Sequence, residues 1–138
     1  MNPAEIQIPR KLAQQLLHHA QNTPDSEVCG LIGAKNNQPC SCYPIKNIAP
    51  QPETQFLLDE TQHITAQVAM REKAESLFAI YHSHPSTPAL PSQTDIALAT
   101  YPNALHFIIS LNTKGVLEMR GFQINNETVT EIILTLIE

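Results

Sequence analysis

The strongest constraint on the fold is the uninterrupted apolar run Leu77–Tyr81, which polar residues bound on both sides. A continuous apolar run of this length, without alternation, is typical of a central strand that is buried on both faces. The run leads the chain directly to His82. We therefore expect an imidazole at the end of a central strand.

Helices and strands alternate around this run. Pro9 suits a first helical turn, and Leu12, Leu16 and Leu17 follow at helical spacing, which predicts an amphipathic helix over residues 9–22. Val28–Gly33 reads as a short buried strand that ends in a turn. A second strand is predicted over residues 41–48.

The later elements are predicted from caps, turns and apolar runs. A short extended piece covers Phe56–Leu58, and Asp59 or Thr61 caps a helix that runs to about Glu75. We expect that helix to bury Ile64, Val68 and Ala69. The remaining elements are a helix over Ser92–Thr100, strands over Leu105–Leu111 and Val116–Ile124, and a strand or helix over Thr128–Ile137.

Length and charge narrow the class of protein. The 138 residues suit one domain, so we expect residues 1–138 to form a single unit. The net charge is -5 and the 8 basic residues are scattered, which argues against nucleic acid or an anionic membrane as a partner. No apolar run approaches the roughly 20 residues of a membrane span, and no leader is recognisable. We expect a cytoplasmic protein with Cys29, Cys40 and Cys42 reduced.

Two histidines and one aspartate have the spacing of metal ligands. His82 and His84 are two residues apart, so a strand points both side chains to the same side. A proline-rich loop follows, and the helix after it can return Asp95 to the imidazoles. Two histidines and a carboxylate are typical of a catalytic zinc site that keeps one position open. Ser92 and Asp95 also fit a capping box, and one aspartate can serve both purposes.

Several polar residues keep alternative interpretations. Glu27 is the leading candidate for a general base, and its alternative is a solvated loop carboxylate. Cys40 and Cys42 are too few for a cysteine-rich structural zinc site. Four further histidines are interpreted without a functional role. His18, His19 and His63 are expected at exposed helix positions, and His106 as a satisfied, partly buried strand residue.

The combined pattern resembles the JAMM (MPN-plus) metalloproteases. Their motif is a glutamate near the N-terminus, then His-x-His-Pro, with the second histidine followed by seven residues, Ser, two residues and Asp. This chain has Glu27, His82-Ser83-His84-Pro85, residues 85–91 as the seven, then Ser92 and Asp95. The stretch Ser26–Gly33 also resembles the Glu-x-Cys-Gly-Leu-x-Gly strand of that family. One departure is Ala79, where relatives often have glycine.

The resemblance implies a fold and a site. The fold would be a cytidine-deaminase-like α/β domain, a mixed sheet with helices packed on it. His82, His84 and Asp95 would bind zinc, and Glu27 would be the general base toward zinc-activated water. Ser92 would donate a hydrogen bond to the oxyanion. Cys29 would be a small buried side chain without a chemical role.

The resemblance also implies a substrate class. Compact single-domain bacterial members include peptidases that hydrolyse an amide at the C-terminal glycine of ubiquitin-like sulfur-carrier proteins. Members that cut polyubiquitin carry inserted segments for which this chain has little room. Two alternatives stay open: a metal-free MPN scaffold, and a zinc amidohydrolase acting on a small peptide-like metabolite. The oligomeric state is undecided, and a dimer is one possibility.

Overall fold

A mixed β-sheet organises the computed structural model, which describes residues 5–97, 99, 104–112 and 118–138. Within these ranges the strands are β1 (Glu5–Pro9), β2 (Cys29–Lys35), β3 (Gln38–Ile45), β4 (Ser76–His84), β5 (Leu105–Ser110), β6 (Glu118–Asn125) and β7 (Thr128–Ile137). The helices are α1 (Arg10–Asn22), α2 (Glu60–Glu72) and α3 (Gln93–Ala97). The alternation of strands and helices confirms the predicted α/β class.

The strands form one sheet in the order β1-β7-β6-β5-β4-β2-β3. β4 pairs in parallel with β5 and antiparallel with β2, so both of its edges are occupied. This confirms the prediction that Leu77–Tyr81 lies in an interior strand. The sheet curls so that its two edge strands approach each other: Gln38 Nε2 on β3 donates to the Gln7 carbonyl oxygen on β1, 3.1 Å away.

The two faces of the sheet have separate cores. α1 covers one face, where Leu12 and Leu16 pack with Tyr81 and Phe107. Gly30 on β2 allows this packing, since a Cβ there would lie 2.5 Å from the Tyr81 ring. On the other face α2 packs over β2 and β4, and α3 lies over β5 and β6. The opposite face therefore carries two helices with a gap between them.

The predicted inner face of α2 is wrong. Ile64 is 55% exposed and Val68 is 45% exposed, whereas Ala66 and Met70 are buried against β2 and β4. Ala69 is partly buried. The segment that precedes α2 fixes the rotation of the helix about its own axis. Asn47 and Leu58 form a β-bridge, and the Asp59 side chain then accepts a hydrogen bond from the backbone N–H of Gln62. These contacts turn the smaller Ala66 and the flexible Met70 toward the sheet.

Other boundaries shift by a few residues. The strand predicted over residues 41–48 begins earlier, at Gln38, and ends at Ile45. The segment Thr128–Ile137, left open between strand and helix, is strand β7. β1 was not predicted; it is a short edge strand that pairs with β7 from the other end of the chain. The predictions at residues 98, 100 and 116–117 lie outside the described residues.

The cysteines and two histidines of α1 can be compared with the states predicted for them. All three cysteines are free, and Cys29 is fully buried, as expected for a small core side chain. In the ranges that the structure covers, every helix is too short or too polar to cross a bilayer. His18 is exposed as predicted, but His19 is half-buried, because its Nδ1 lies 2.7 Å from the Tyr81 hydroxyl.

Candidate metal centre

The end of β4 brings the predicted ligands together. His82 and His84 alternate with Ser83, so both imidazoles point to the face that carries α2 and α3. Their Nε2 atoms are 3.1 Å apart. Asp95 on α3 places Oδ2 3.1 Å from each of them. The three atoms form a nearly equilateral triangle.

This triangle fits a metal ion better than it fits hydrogen bonds. Ligand atoms around a tetrahedral zinc ion lie at 2.0–2.1 Å from it and hence about 3.3 Å from one another. The observed separations between His82, His84 and Asp95 are close to that value. Hydrogen bonds cannot satisfy all three contacts, because each Nε2 carries at most one hydrogen and an ionised Asp95 carries none. Among the described residues, this trio can hold a metal ion.

Neighbouring groups orient both imidazoles. The His84 Nδ1–H donates to the Pro88 carbonyl oxygen at 2.8 Å, which leaves the Nε2 lone pair free for a metal. The proline-rich loop thus returns the chain to the histidine that precedes it. Phe56 stacks on the His82 ring at 4.4 Å between centroids. These contacts limit ring rotation before any ion binds.

Ser92 and Asp95 form the predicted capping box at the start of α3. The backbone N–H of Asp95 donates to Ser92 Oγ at 3.0 Å, and the backbone N–H of Ser92 donates to Asp95 Oδ2 at 2.9 Å. The aspartate therefore caps and converges on the imidazoles at once, as the sequence indicated. The Ser92 side chain is exposed, and its hydroxyl hydrogen remains available to a ligand.

Charge interactions set the protonation states of the trio. Burial alone would raise the pKa of Asp95, but hydrogen bonds from the two imidazoles outweigh it and hold that pKa far below its usual range. Burial lowers the pKa of His82. Burial would also lower the pKa of His84, yet Asp95 and the Pro88 carbonyl raise it above its ordinary value. Metal binding needs an ionised carboxylate and two neutral imidazoles, so an ion must displace the proton that Asp95 helps to hold on His84.

Glu27 lies two residues before β2, the strand that pairs with β4. Its side chain is only 5% exposed, and its Oε1 has no hydrogen-bond partner among the described residues. Burial raises the pKa of Glu27 to about 8; the charge of His84 lowers it, and that of Asp95 raises it further. The solvated-loop interpretation is therefore wrong. A buried carboxyl whose Oε1 lacks a hydrogen bond and which interacts electrostatically with the trio is a candidate functional group.

One residue near the trio was missed by the sequence analysis. His106 on β5 was expected to be partly buried and satisfied, but it is 5% exposed and its Nε2 has no partner among the described residues. Its position opposite Ile80 in the β4–β5 pair places it on the same face as the trio. The position of His106 near the trio depends on the register of β5 against β4, which the local sequence does not reveal.

Comparison with known proteins identifies the family. The family model described as "prokaryotic homologs of the JAB domain" matches residues 9–124, which are most of the chain. The chain belongs to the prokaryotic JAB family. This confirms the resemblance to JAMM proteins that the motif indicated, and it confirms the mixed-sheet α/β fold.

Similar JAB-family proteins include named peptidases. The CysO-cysteine peptidase of Mycobacterium tuberculosis is 31% identical over 129 residues, which cover 92% of this chain and 88% of the relative. The desampylase of Haloferax volcanii is 25% identical over 116 residues, covering 80% of this chain and 84% of the relative. A solution structure of a protein from Desulfitobacterium hafniense superposes with a TM-score of 0.87 at 31% identity, and it covers 96% of this chain and 93% of that one.

Proposed function

We propose that this chain is a zinc-dependent peptidase or isopeptidase that hydrolyses an amide bond at the C-terminal glycine of a ubiquitin-like sulfur-carrier protein. The observation that carries the proposal is the 3.1 Å triangle of His82, His84 and Asp95 with a buried, unpaired Glu27 nearby. Similarity to a CysO-cysteine peptidase and a desampylase supports the substrate class. We further propose that the protein acts in the cytoplasm.

The donor set favours zinc. Two imidazole nitrogens and one carboxylate oxygen are the ligands of several catalytic zinc sites, whereas magnesium and calcium prefer all-oxygen sites. Zinc supplies a Lewis acid that polarises the scissile carbonyl and lowers the pKa of water to about 7. In this role His82, His84 and Asp95 hold the ion.

Glu27 moves the proton in this proposal. Its Oε1 accepts a proton from the attacking water and returns it to the nitrogen of the leaving amine, so one carboxyl serves as base and then as acid. Burial suits this task, because a carboxyl with a pKa raised to about 8 exchanges protons readily near neutral pH.

Ser92 completes the proposed site. Its Oγ already accepts the backbone N–H of Asp95, which fixes the hydroxyl at the mouth of the site. The hydroxyl hydrogen is then free to point at the oxyanion that develops on the carbonyl oxygen of the substrate. A preorganised donor of this kind stabilises the transition state more than the ground state.

Metal content tests the proposal first. We expect about one zinc per chain in protein purified without added metal, measured by plasma mass spectrometry, and loss of zinc in His84→Ala. His18→Ala is the matched control, because His18 is an exposed histidine on α1, outside the trio. Zinc absent from the wild type and not taken up on reconstitution would favour the metal-free scaffold instead.

Substrate class is tested separately by mass. A ubiquitin-like sulfur carrier with one cysteine on its C-terminal glycine should lose the mass of that cysteine when the zinc-loaded protein is added. Zinc in the protein without cleavage of this conjugate, but with cleavage of small dipeptide amides, would favour the alternative of a small-metabolite amidohydrolase.

A further inference from the structure

A cavity lies beside the trio, in the gap between the two helices on that face. It measures about 280 Å³, and His82 and Asp95 line it at one end. Ligand pockets for whole small molecules usually run from about 300 to 1,000 Å³. The cavity thus has room for one side chain rather than for a folded surface.

Most of the cavity wall is apolar, although His63 and Thr94 also line it. Its floor is formed by Ile80 on β4, Ile108 on β5 and Ile124 on β6. Phe56 and Leu57, which precede α2 in the chain, also line it. His82 and Asp95 line the cavity, so a side chain bound there would belong to a residue only a few bonds from the amide that is cleaved.

His106 is one of the polar groups in this mostly apolar lining. It is one of the residues that line the cavity, and its buried Nε2 has no partner among the described residues. Burial, and next the nearby His82, lower the pKa of His106 to about 4, so the ring is neutral at pH 7. A neutral imidazole can donate to or accept from a peptide group. An unpaired buried nitrogen is costly unless a ligand satisfies it.

We propose that this cavity is a specificity pocket that accepts one apolar side chain from the acyl side of the substrate, and that His106 Nε2 hydrogen-bonds the main chain of that residue. The inference rests on the proposed function, because it places the substrate relative to Glu27. His106 is a substrate-positioning residue in this scheme and takes no part in proton transfer.

The topology decides which side of the substrate enters. β2 and β5 flank β4 on opposite sides, with Glu27 before β2 and the cavity over β5 and β6. Glu27 must reach the leaving nitrogen, so the amine side of the substrate lies toward β2. The acyl side then lies toward the cavity.

The distance from the trio limits which residue is bound. At about 4.8 Å between strands, β5 and β6 lie roughly 5 and 10 Å from β4. An extended chain advances about 3.3 Å per residue. The bound side chain therefore belongs to one of the two residues that precede the C-terminal glycine, because the glycine at the cleaved bond has no side chain.

Tripeptides that mimic the acyl product test the pocket without turnover. The probes are acetyl-Gly-Gly-Gly with a free carboxylate and its three variants with leucine at one position, titrated calorimetrically into zinc-loaded protein. We expect one leucine peptide to bind about tenfold more tightly than the all-glycine peptide, because the cavity buries its side chain. Binding should also shift the ¹⁵N resonance of His106 Nε2.

Three variants separate the parts of the proposal. Ala99→Leu fills the cavity and should bring the leucine preference to about one while acetyl-Gly-Gly-Gly still binds. Leu57→Ala truncates a lining residue that is 51% exposed, and it should reduce the leucine preference in part. Val68→Ala, on the exposed side of α2, is the matched control and should change nothing.

The hydrogen bond is tested at His106. His106→Leu keeps an apolar lining and should weaken all four peptides about fivefold while the leucine preference remains. His106→Gln places an amide near the Nε2 position and should restore part of the affinity. A purely structural role would give neither uniform weakening nor this rescue.

Specific results would overturn the inference. These are an unchanged leucine preference in both Ala99→Leu and Leu57→Ala, equal affinity for all four peptides, or no binding at all. Leu-Gly-Gly amide mimics the amine product. If leucine tightened binding only in that peptide, the pocket would lie on the amine side of the cleaved bond and not on the acyl side. Zinc content and conjugate cleavage are measured apart, so failure of the pocket and failure of the proposed function give different results.

Discussion

Tyr81 and His82 are adjacent on β4 and point to opposite faces of the same sheet, yet their surroundings differ in kind. On the α1 face the Tyr81 hydroxyl lies 2.7 Å from His19 Nδ1 and accepts the Cys42 thiol at 3.4 Å. On the other face, Glu27 Oε1, His82 Nδ1 and His106 Nε2 have no partner among the described residues. The buried polar groups around Tyr81 are paired, whereas these three buried atoms on the other face are not.

This difference separates structural from functional polarity. A buried polar group without a partner destabilises the fold by about 1–3 kcal/mol, so a cluster of such groups persists where a ligand or ion completes it. The network around Tyr81 needs no ligand and can stabilise the fold by itself. We therefore expect substitutions on the two faces to affect different measurements.

The largest expected effect is the loss of turnover in Glu27→Gln. Glutamine keeps the shape of the side chain but cannot accept the proton, and a general base contributes about 10²- to 10⁴-fold to rate. We expect cleavage of the carrier conjugate to fall by that factor while zinc content stays at the wild-type level. Loss of zinc in this variant would instead make Glu27 a ligand and contradict its assigned role.

A second prediction concerns the stability of the zinc-free protein. The pKa of Glu27 is raised to about 8 by burial, so the folded state binds this proton more tightly than the unfolded chain does. Below about pH 4 both states are protonated and burial of the carboxyl carries no charge penalty. The penalty grows between about pH 4 and pH 8, where the unfolded chain ionises first.

Glu27→Gln removes this penalty. Urea unfolding of the zinc-free proteins should give a variant that is more stable than wild type by about 2 kcal/mol at pH 8.5, and equal to it near pH 4. Glu75 provides a control of opposite sign. Burial would raise its pKa, but hydrogen bonds from Ser41 and Tyr43 lower it, so Glu75→Gln should lose stability above about pH 5. A Glu27→Gln variant less stable at pH 8.5 would show that the carboxylate has a partner.

The trio could be predicted because its geometry is local. His82 and His84 share a face through strand alternation, and the capping box of Ser92 and Asp95 fixes the first turn of α3. Proline-rich residues 85–91 restrict the return path. Glu27 could be named only as a candidate beside an alternative, because it reaches the trio through the pairing of β2 with β4, which no local pattern reveals.

Tertiary contacts decided what the sequence could not. On α2 the pairs Ile64 and Val68, and Ala66 and Met70, both follow helical spacing, and the more apolar pair is the exposed one. β1 is a short edge strand stabilised by pairing with β7 across the whole chain. His106 depends on the register of β5 against β4. In each case a long-range contact overrides a local preference.

The smallest expected effect tests the paired face. Tyr81→Phe removes the hydroxyl that contacts His19 and Cys42 but keeps the ring that packs on Gly30. We expect the free energy of unfolding to fall by about 1 kcal/mol, the net value of a typical buried hydrogen bond. Tyr43→Phe is the control, because its hydroxyl bonds Glu75 at a half-exposed site and should matter less.

Zinc content and conjugate cleavage decide whether the two faces of β4 are independent. Tyr81 points away from the trio, so Tyr81→Phe should leave both at wild-type levels while stability falls. If the variant instead lost zinc or slowed cleavage several-fold, the paired network would be holding His82 in place through the backbone that the two residues share. The satisfied face would then be part of the site, and the division between the faces would fail.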